Sequence, residues 1–193
     1  LENIWESWRK FRKGKKASTE LDKFQYYLER NLYQLYLDLN SSQYRHGKYR
    51  KFIISDNKKR VVSVASIQDR VVHRLLYEYL VPIYDNTFIP DVWSCRKSKG
   101  LTGAIKRTQQ LLVKYNRSFV WRADVKKFFD HVNHAALFDI IRNAINDQRA
   151  LCLISEIINS YGYGSMAENR EREREREYKL ASKRNTDRQS NQS

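Results

Sequence analysis

Asp124 is the residue of this chain best suited to chemistry, because its carboxylate directly follows an apolar run. Phe119, Val120 and Trp121 have strand character, so the sequence predicts a strand with Asp124 at its end. The carboxylate and the backbone carbonyl of Val125 are hard oxygen ligands of the kind that Mg²⁺ prefers. The same segment also fits a buried strand that ends in a helix-capping aspartate, and the residues alone leave both interpretations open.

A second candidate for chemistry is a cluster of cations around a predicted turn. Two runs, residues 49–55 and 59–65, flank the sequence Asp56-Asn57-Lys58 and predict a β-hairpin with a basic tip. The cations are Lys51, Lys58, Lys59 and Arg60. Ammonium and guanidinium groups suit phosphate oxygens, although a lysine cluster at a hairpin tip also occurs simply as a soluble turn.

Four segments in a fixed order give the chain a family resemblance. The basic hairpin precedes an Asp-Arg-Val-Val-His run within residues 66–76, a basic loop over residues 84–100 and the segment around Asp124. In this order they resemble the fingers and upper palm of bacterial reverse transcriptases, nearest to those of group II introns and diversity-generating retroelements. The resemblance covers roughly residues 3–164. It implies RNA-directed DNA synthesis in the intact parent, with an RNA template, a DNA primer and deoxynucleoside triphosphates as partners and Mg²⁺ as cofactor.

The resemblance also implies roles for single residues. Asp124 is the implied catalytic residue and, with the Val125 carbonyl, a metal ligand. Phe129 would close over the sugar of the incoming nucleotide and exclude a 2′-hydroxyl, with an ordinary buried phenylalanine as the alternative. The implied nucleotide-binding set is completed by Val125, Lys51, Lys58, Lys59, Arg60 (the first choice) and Arg70. Arg70 could instead form a local ion pair with Asp69. The adjacent pair of aspartates that relatives use is absent from this sequence, so the ligand set for Mg²⁺ is incomplete.

The charge of the chain favours a polyanionic partner. The formal net charge is +15, and nucleic acid attracts such a surface through its phosphates. Residues 3–16 interleave aromatic and basic side chains, which is the usual footprint of nucleic-acid binding, although a solvated amphipathic helix is the alternative. The predicted nucleic-acid-binding residues are Arg9, Lys10, Arg12, Lys13, Lys15 and Lys16 in this segment and Arg96, Lys97 and Lys99 in the basic loop.

Hydrophobic periodicity predicts several helices and one hairpin, and the resemblance implies an α+β fold with reverse-transcriptase-like fingers and the first part of a polymerase palm. Helices are expected at residues 3–16, 19–39, 67–81, 103–114, 134–145 and 148–161. In the first helix Trp5, Trp8 and Phe11 share one face, and the second carries a core stripe of leucines that includes Leu21, Leu32 and Leu35. Ser18 or Thr19 is expected to cap the second helix and Asn133 the helix over residues 134–145, and Pro82 is expected to mark the end of the helix over residues 67–81. The predicted regions are a basic N-terminal extension with helical fingers (1–48), the fingers hairpin, helices and basic loop (49–117), a partial palm (118–164) and a low-complexity, disordered tail (165–193). The tail has few apolar residues, which predicts disorder, and its alternating Glu and Arg over residues 171–177 suggest a frameshift, a repeat-driven truncation or a misjoined reading frame.

Composition narrows the remaining function classes. No apolar run approaches the roughly 20 residues of a membrane span, and no signal peptide is recognisable, so we expect no membrane partner and a cytoplasmic location. Cys95 and Cys152 are too few for a zinc site or a disulfide framework. The resemblance implies a truncated RNA-directed DNA polymerase domain. A non-catalytic RNA-binding module and a frameshifted product without function remain the alternatives, and the oligomeric state is open.

Overall fold

A computed structural model describes residues 1–55, 59–126 and 128–161, with the side chain of residue 130 outside the description. These residues form an α+β fold, as predicted. In chain order the elements are α1 (Glu2–Arg12), α2 (Thr19–Tyr26), α3 (Leu28–Asn40), β1 (Arg50–Ser55), β2 (Lys59–Val64), α4 (Ile67–Tyr84), a 3₁₀ turn (Asp85–Thr87), α5 (Leu101–Lys114), α6 (Phe128–His131), α7 (His134–Ala144) and α8 (148–161). The predicted tail lies outside the described residues.

The single helix predicted over residues 19–39 is in fact two helices that meet at Tyr27. Of the two predicted caps, Ser18 and Thr19, it is Ser18 that caps α2, by accepting a hydrogen bond from the Leu21 amide at 3.3 Å. Tyr27 then leaves the helical region, with φ −105° and ψ 32°. The Asn31 amide group donates to the Phe24 carbonyl at 3.0 Å and so satisfies a carbonyl near the break. The apolar pattern continues across the break, and periodicity alone therefore could not reveal it.

Helix α4 is the central element of the fold. Ser66 caps its N-terminus through the Asp69 amide. Pro82 was predicted to mark the end of this helix, but the helix continues through it to Tyr84, and the Asp85 amide still donates to the Val81 carbonyl. A proline beyond the first turn loses the bond from its own amide and crowds the carbonyl four residues earlier, and here that cost falls only two residues before the end of α4.

Two clusters of buried side chains flank α4. The larger cluster joins α1, α2, α3 and the first half of α4; its buried members are Ile4, Trp8, Phe11, Leu21, Leu32, Leu35, Tyr44, Ile67, Val71 and Val72. Leu153 and Ile157 of α8 pack against it. The smaller cluster joins the second half of α4 to α7 and α8 around Ile145, Leu151 and Ile154. Helix α8 belongs to the predicted palm region, yet it contributes to both clusters.

Helix α1 differs from its prediction in extent and in its buried face. It ends at Arg12, and Gly14 follows with a left-handed φ of 74°. Trp8 and Phe11 are buried as expected, whereas Trp5 is exposed, because Ile4 and Ser7 complete the buried face.

Asn133 caps α7 as predicted, since its side chain accepts a hydrogen bond from the Ala136 amide. Across the described residues, the helices are all too short or too polar to span a bilayer.

The hairpin extends from this helical body as a two-stranded antiparallel sheet. Phe52 pairs with Val62 and Ile54 with Arg60, which fixes the register on either side of the predicted turn. The turn itself, residues 56–58, lies outside the described residues. Most of the strand residues are exposed, including Ile53. A two-stranded hairpin gains little stability on its own, so its position depends on the residues at its root.

The strand predicted before Asp124 is not formed. Residues 119–125 have no regular secondary structure, and Phe119 and Trp121 are 103% and 88% exposed. Within the described part of the chain, β1 and β2 pair only with each other. An isolated strand cannot satisfy its backbone hydrogen bonds, so strand propensity without a neighbouring strand gives irregular structure here.

Candidate nucleic-acid interface

The cations that were predicted to bind phosphate lie on two opposite faces of the hairpin. Successive side chains of a strand alternate between faces, and directly paired residues share a face. Lys51 and Lys59 therefore lie on one face, beside Ile53 and Val61, while Arg60 lies on the other. All three of these cations are exposed. Lys58 lies outside the described residues. The four cations thus do not form the single cluster that their proximity in sequence indicated.

Arg60 shares its face with Arg50, and this face continues into the helical body through Glu20. The Glu20 carboxylate lies 3.2 Å from Arg50 Nη2 and 3.8 Å from Arg70 Nη2, so one acid of α2 is shared by a strand and by α4. The Arg70 guanidinium also lies over the Phe11 ring, 5.4 Å from its centroid. This Arg50–Glu20–Arg70 cluster, which sequence reasoning missed, positions Arg70 beside the root of the hairpin.

The alternative role of Arg70, a local ion pair with Asp69, is wrong for the described structure. Asp69 is only 2% exposed, and its carboxylate accepts hydrogen bonds from the Tyr44 hydroxyl at 2.8 Å, the Ser66 hydroxyl at 2.7 Å and the Gly47 amide at 3.3 Å. Burial and the hydrogen bond to Asp69 raise the pKa of Tyr44 far above its ordinary value. Ser66 and Asp69 are spaced as a capping box, which is the sequence signal that could have revealed this network.

Contacts between aromatic rings also attach the root of the hairpin, residues 44–49, to α4 and α8. His46 Nε2 lies 3.0 Å from His73 Nε2, and the His46 ring stacks on Tyr49 with centroids 4.8 Å apart. The His46 amide donates to Glu156 of α8 at 2.9 Å. Tyr49 in turn meets the edge of Tyr161, at a centroid distance of 5.7 Å. The hairpin therefore joins the body through residues 44–49, which sequence reasoning treated as an ordinary loop.

Three of the six N-terminal cations that were predicted to bind nucleic acid form ion pairs or hydrogen bonds within the chain. Arg9 pairs with Glu6, and Lys10 pairs with Glu78 of α4, each at 2.8 Å. The hydrogen bond from Lys10 holds the pKa of Glu78 below its ordinary value. Arg12 donates to Gln25 and to the Lys15 carbonyl, which holds the end of α1. The remaining three, Lys13, Lys15 and Lys16, are exposed, and Lys15 lies over the Phe11 ring.

The basic loop uses its arginine to hold its own shape. The Arg96 guanidinium binds both carboxylate oxygens of Asp85, at 2.8 and 3.1 Å, and donates to the Asp85 carbonyl at 2.9 Å. These bonds keep the pKa of Asp85 below its ordinary value. Lys99 donates to the Pro90 carbonyl and lies over the Trp93 ring, whereas Lys97 is exposed. Lys97 is thus the cation of this loop best placed to meet a phosphate.

The residues predicted for catalysis lie on the surface in an irregular segment. Asp124 is exposed, Val125 is 65% exposed, and Phe129 in α6 is 82% exposed, so the alternative of a buried Phe129 is wrong. Phe129 meets the edge of Phe128, with centroids 5.3 Å apart. Over the described residues, no three His, Cys, Asp or Glu side chains gather as a metal site. Asp124 and the Val125 carbonyl alone do not make one, and Mg²⁺ binding stays a prediction.

Comparison with known proteins gives one distant likeness. No protein-family model matches the chain. The chain is similar to Protein YkfC of Escherichia coli (strain K12), with 25% identity over 128 residues. The match covers 64% of this chain and 34% of YkfC, so the chain spans about a third of the length of the curated relative it matches. At this identity and coverage the likeness does not assign a family.

Proposed function

We propose that this chain binds RNA through the phosphate backbone, as the fingers and first palm segment of a reverse transcriptase of the bacterial type. The observation that carries the proposal is the exposed hairpin. Its strands bear Arg50, Lys51, Lys59 and Arg60 and include no acidic residue, and the cations are distributed over both faces. The order of the four sequence segments supports the reverse-transcriptase part of the proposal, with an RNA template and a DNA primer as partners.

Phosphate contact, rather than base readout, fits the chemistry of these side chains. Lysine and arginine on exposed strands meet the negatively charged backbone without regard to sequence. Exposed apolar side chains between them, such as Ile53 and Val61, offer surface for sugars and base faces. We therefore expect binding with little base preference and with an affinity that falls steeply as salt rises.

The test compares two charge-matched double variants. Lys59→Ala/Arg60→Ala removes two hairpin cations, and Lys106→Ala/Lys114→Ala removes two exposed cations from α5. Fluorescence anisotropy with a labelled structured RNA at several salt concentrations gives the affinity and its salt slope. We expect the hairpin variant to lose affinity and to have a slope lower by roughly one to two units, and the α5 variant to change little. An equal loss in both variants would show that total charge, and not the hairpin, governs binding.

A second candidate function is nucleotidyl transfer, favoured by the accessibility of Asp124, Val125 and Phe129 on one exposed segment. In the complete enzyme, Asp124 and the Val125 carbonyl would bind Mg²⁺, and the hairpin cations would bind the triphosphate of a deoxynucleotide. Because the sequence lacks the paired aspartates, we expect no extension of a DNA primer on an RNA template by this chain. Extension that Asp124→Ala abolishes would overturn that expectation.

A further inference from the structure

The contact between His46 and His73 is a hydrogen bond between two ring nitrogens. The two Nε2 atoms are 3.0 Å apart, while the ring centroids are 5.1 Å apart and the planes differ by 17°. With the two nitrogens 3.0 Å apart, centroids 5.1 Å apart are almost as far from each other as the two rings allow, so the imidazoles meet at their Nε2 corners, nearly in one plane. A separation of 3.0 Å is the ordinary length of an N–H hydrogen bond. One proton must therefore lie between the two nitrogens.

The neighbouring carbonyl decides which ring donates. His46 Nδ1 lies 2.7 Å from the Gly47 carbonyl oxygen, which can only accept, so Nδ1 carries a hydrogen. In the neutral ring His46 Nε2 then holds a lone pair, and His73 Nε2–H donates to it. The pair is satisfied as long as His46 Nε2 stays unprotonated. While His73 donates through Nε2–H, a proton added there would direct two N–H groups at each other across 3.0 Å. A proton on each ring makes this clash unavoidable and breaks the contact.

The groups around the pair come from three elements. Asp69 and Arg70 of α4 act on His73 with opposite sign, and Glu156 of α8 holds the His46 amide. Tyr44 and Tyr49 complete the surroundings on the chain segment that leads into β1. Burial first, and then the field of His46, lower the pKa of His73.

These contacts fix the direction of the pH dependence. A histidine whose folded pKa is depressed contributes stability that is fully present above the unfolded value of about 6.5. That stability is lost as the pH falls through the lower, folded pKa, because the open state binds more protons than the closed one. Opening of the root is therefore favoured in acid and disfavoured at neutral pH.

We propose that His46 and His73 form a proton-sharing latch, which fastens the root of the hairpin at neutral pH and opens it in mild acid. The hairpin begins one residue after Tyr49, whose ring stacks on His46, so loss of the latch loosens the strand that carries Arg50 and Lys51. Only the consequence for RNA binding rests on the proposed function. The latch itself is a property of the fold.

Hydrogen–deuterium exchange of the intact chain tests the latch without nucleic acid. Peptides that cover residues 44–55 are followed at pH 7.5 and pH 5.5, with rates corrected for intrinsic exchange. One extra proton bound on opening predicts about a tenfold loss of protection per pH unit below 6.5. Because pH 5.5 lies one unit below that value, one proton limits the loss between the two pH values to about tenfold, and we expect a loss of several-fold up to that limit in the wild type.

Two substitutions make the test specific. In His73→Gln the side-chain amide can donate to a neutral His46 or, after rotation, accept from a protonated one, so we expect protection that hardly changes between the two pH values. His131→Gln, at an exposed histidine of α6, is the matched control and should behave as the wild type. His46→Gln provides a second test if His73→Gln does not fold. It removes the ring that bonds to His73 but keeps the burial of His73, so we expect a pH dependence smaller than that of the wild type.

The outcomes separate the latch from the proposed function. The latch is wrong if the glutamine variants lose protection in acid as the wild type does, or if His131→Gln removes the pH dependence. Between pH 7.5 and pH 5.5, RNA affinity should fall more in the wild type than in His73→Gln. An absence of RNA binding at pH 7.5 and low salt refutes the proposed function and leaves the exchange result to decide the latch.

Discussion

The substitution Glu20→Gln tests whether Glu20 restrains the two arginines beside the hairpin, Arg50 and Arg70. One carboxylate oxygen of Glu20 lies within 3.2 Å of Arg50 and 3.8 Å of Arg70, so this acid neutralises cations that would otherwise face solvent beside the hairpin. Glutamine keeps the shape of the side chain and removes its charge. We expect the variant to bind RNA more tightly than the wild type at low salt.

The magnitude follows from the number of released cations. Each new phosphate contact steepens the slope of log K against log salt concentration by about 0.7 for single-stranded RNA. Release of Arg50 and Arg70 therefore predicts a slope steeper by about 0.7 to 1.4. The side chain of Arg50 is 69% exposed, and such partly exposed ion pairs contribute at most about 1 kcal/mol, so folding stability should hardly change.

The assay is fluorescence anisotropy with a labelled single-stranded RNA across a salt series, together with urea unfolding. Asp22→Asn is the matched control, because Asp22 is an exposed acid of the same helix that forms no ion pair with any described residue. Both variants change the net charge by the same amount. Equal slopes in the two variants would refute the idea that Glu20 restrains specific cations and would leave only a general effect of charge.

Two further substitutions test the contacts around the interface. Tyr44→Phe removes the hydroxyl that donates to the buried Asp69 carboxylate, so we expect a loss of about 1.5–3 kcal/mol in the free energy of unfolding, measured in urea; a loss below about 0.5 kcal/mol would mean that the carboxylate is satisfied without it. Arg96→Ala should increase proteolysis within residues 88–100 and leave RNA affinity nearly unchanged, because Asp85 already occupies the guanidinium, whereas Lys97→Ala should weaken RNA binding. A larger affinity loss for Arg96→Ala than for Lys97→Ala would show that Arg96 leaves Asp85 to bind phosphate.

The sequence by itself determined the local features of this protein. Ser18 and Asn133 cap the helices they were predicted to cap, because a cap depends on a side chain and an amide three residues away. The two strands of the hairpin lie within the two runs that predicted them. The leucine stripe of α2 and α3 is core, since Leu21, Leu32 and Leu35 are buried. The net charge and the order of the motifs are also sequence properties, and they support the proposal of RNA binding.

Only the tertiary structure decided which distant residues meet. His46 and His73 lie 27 positions apart, and Glu20 and Arg50 lie 30 apart, so no periodicity or spacing could pair them. The segment around Asp124 shows the opposite case. Its β-branched and aromatic residues favour a strand, but strand propensity needs a neighbouring strand to be realised, and the described structure provides none there. Long-range contacts and exposure depend on the whole fold, whereas caps, turns and amphipathic stripes depend on residues within a few positions of each other.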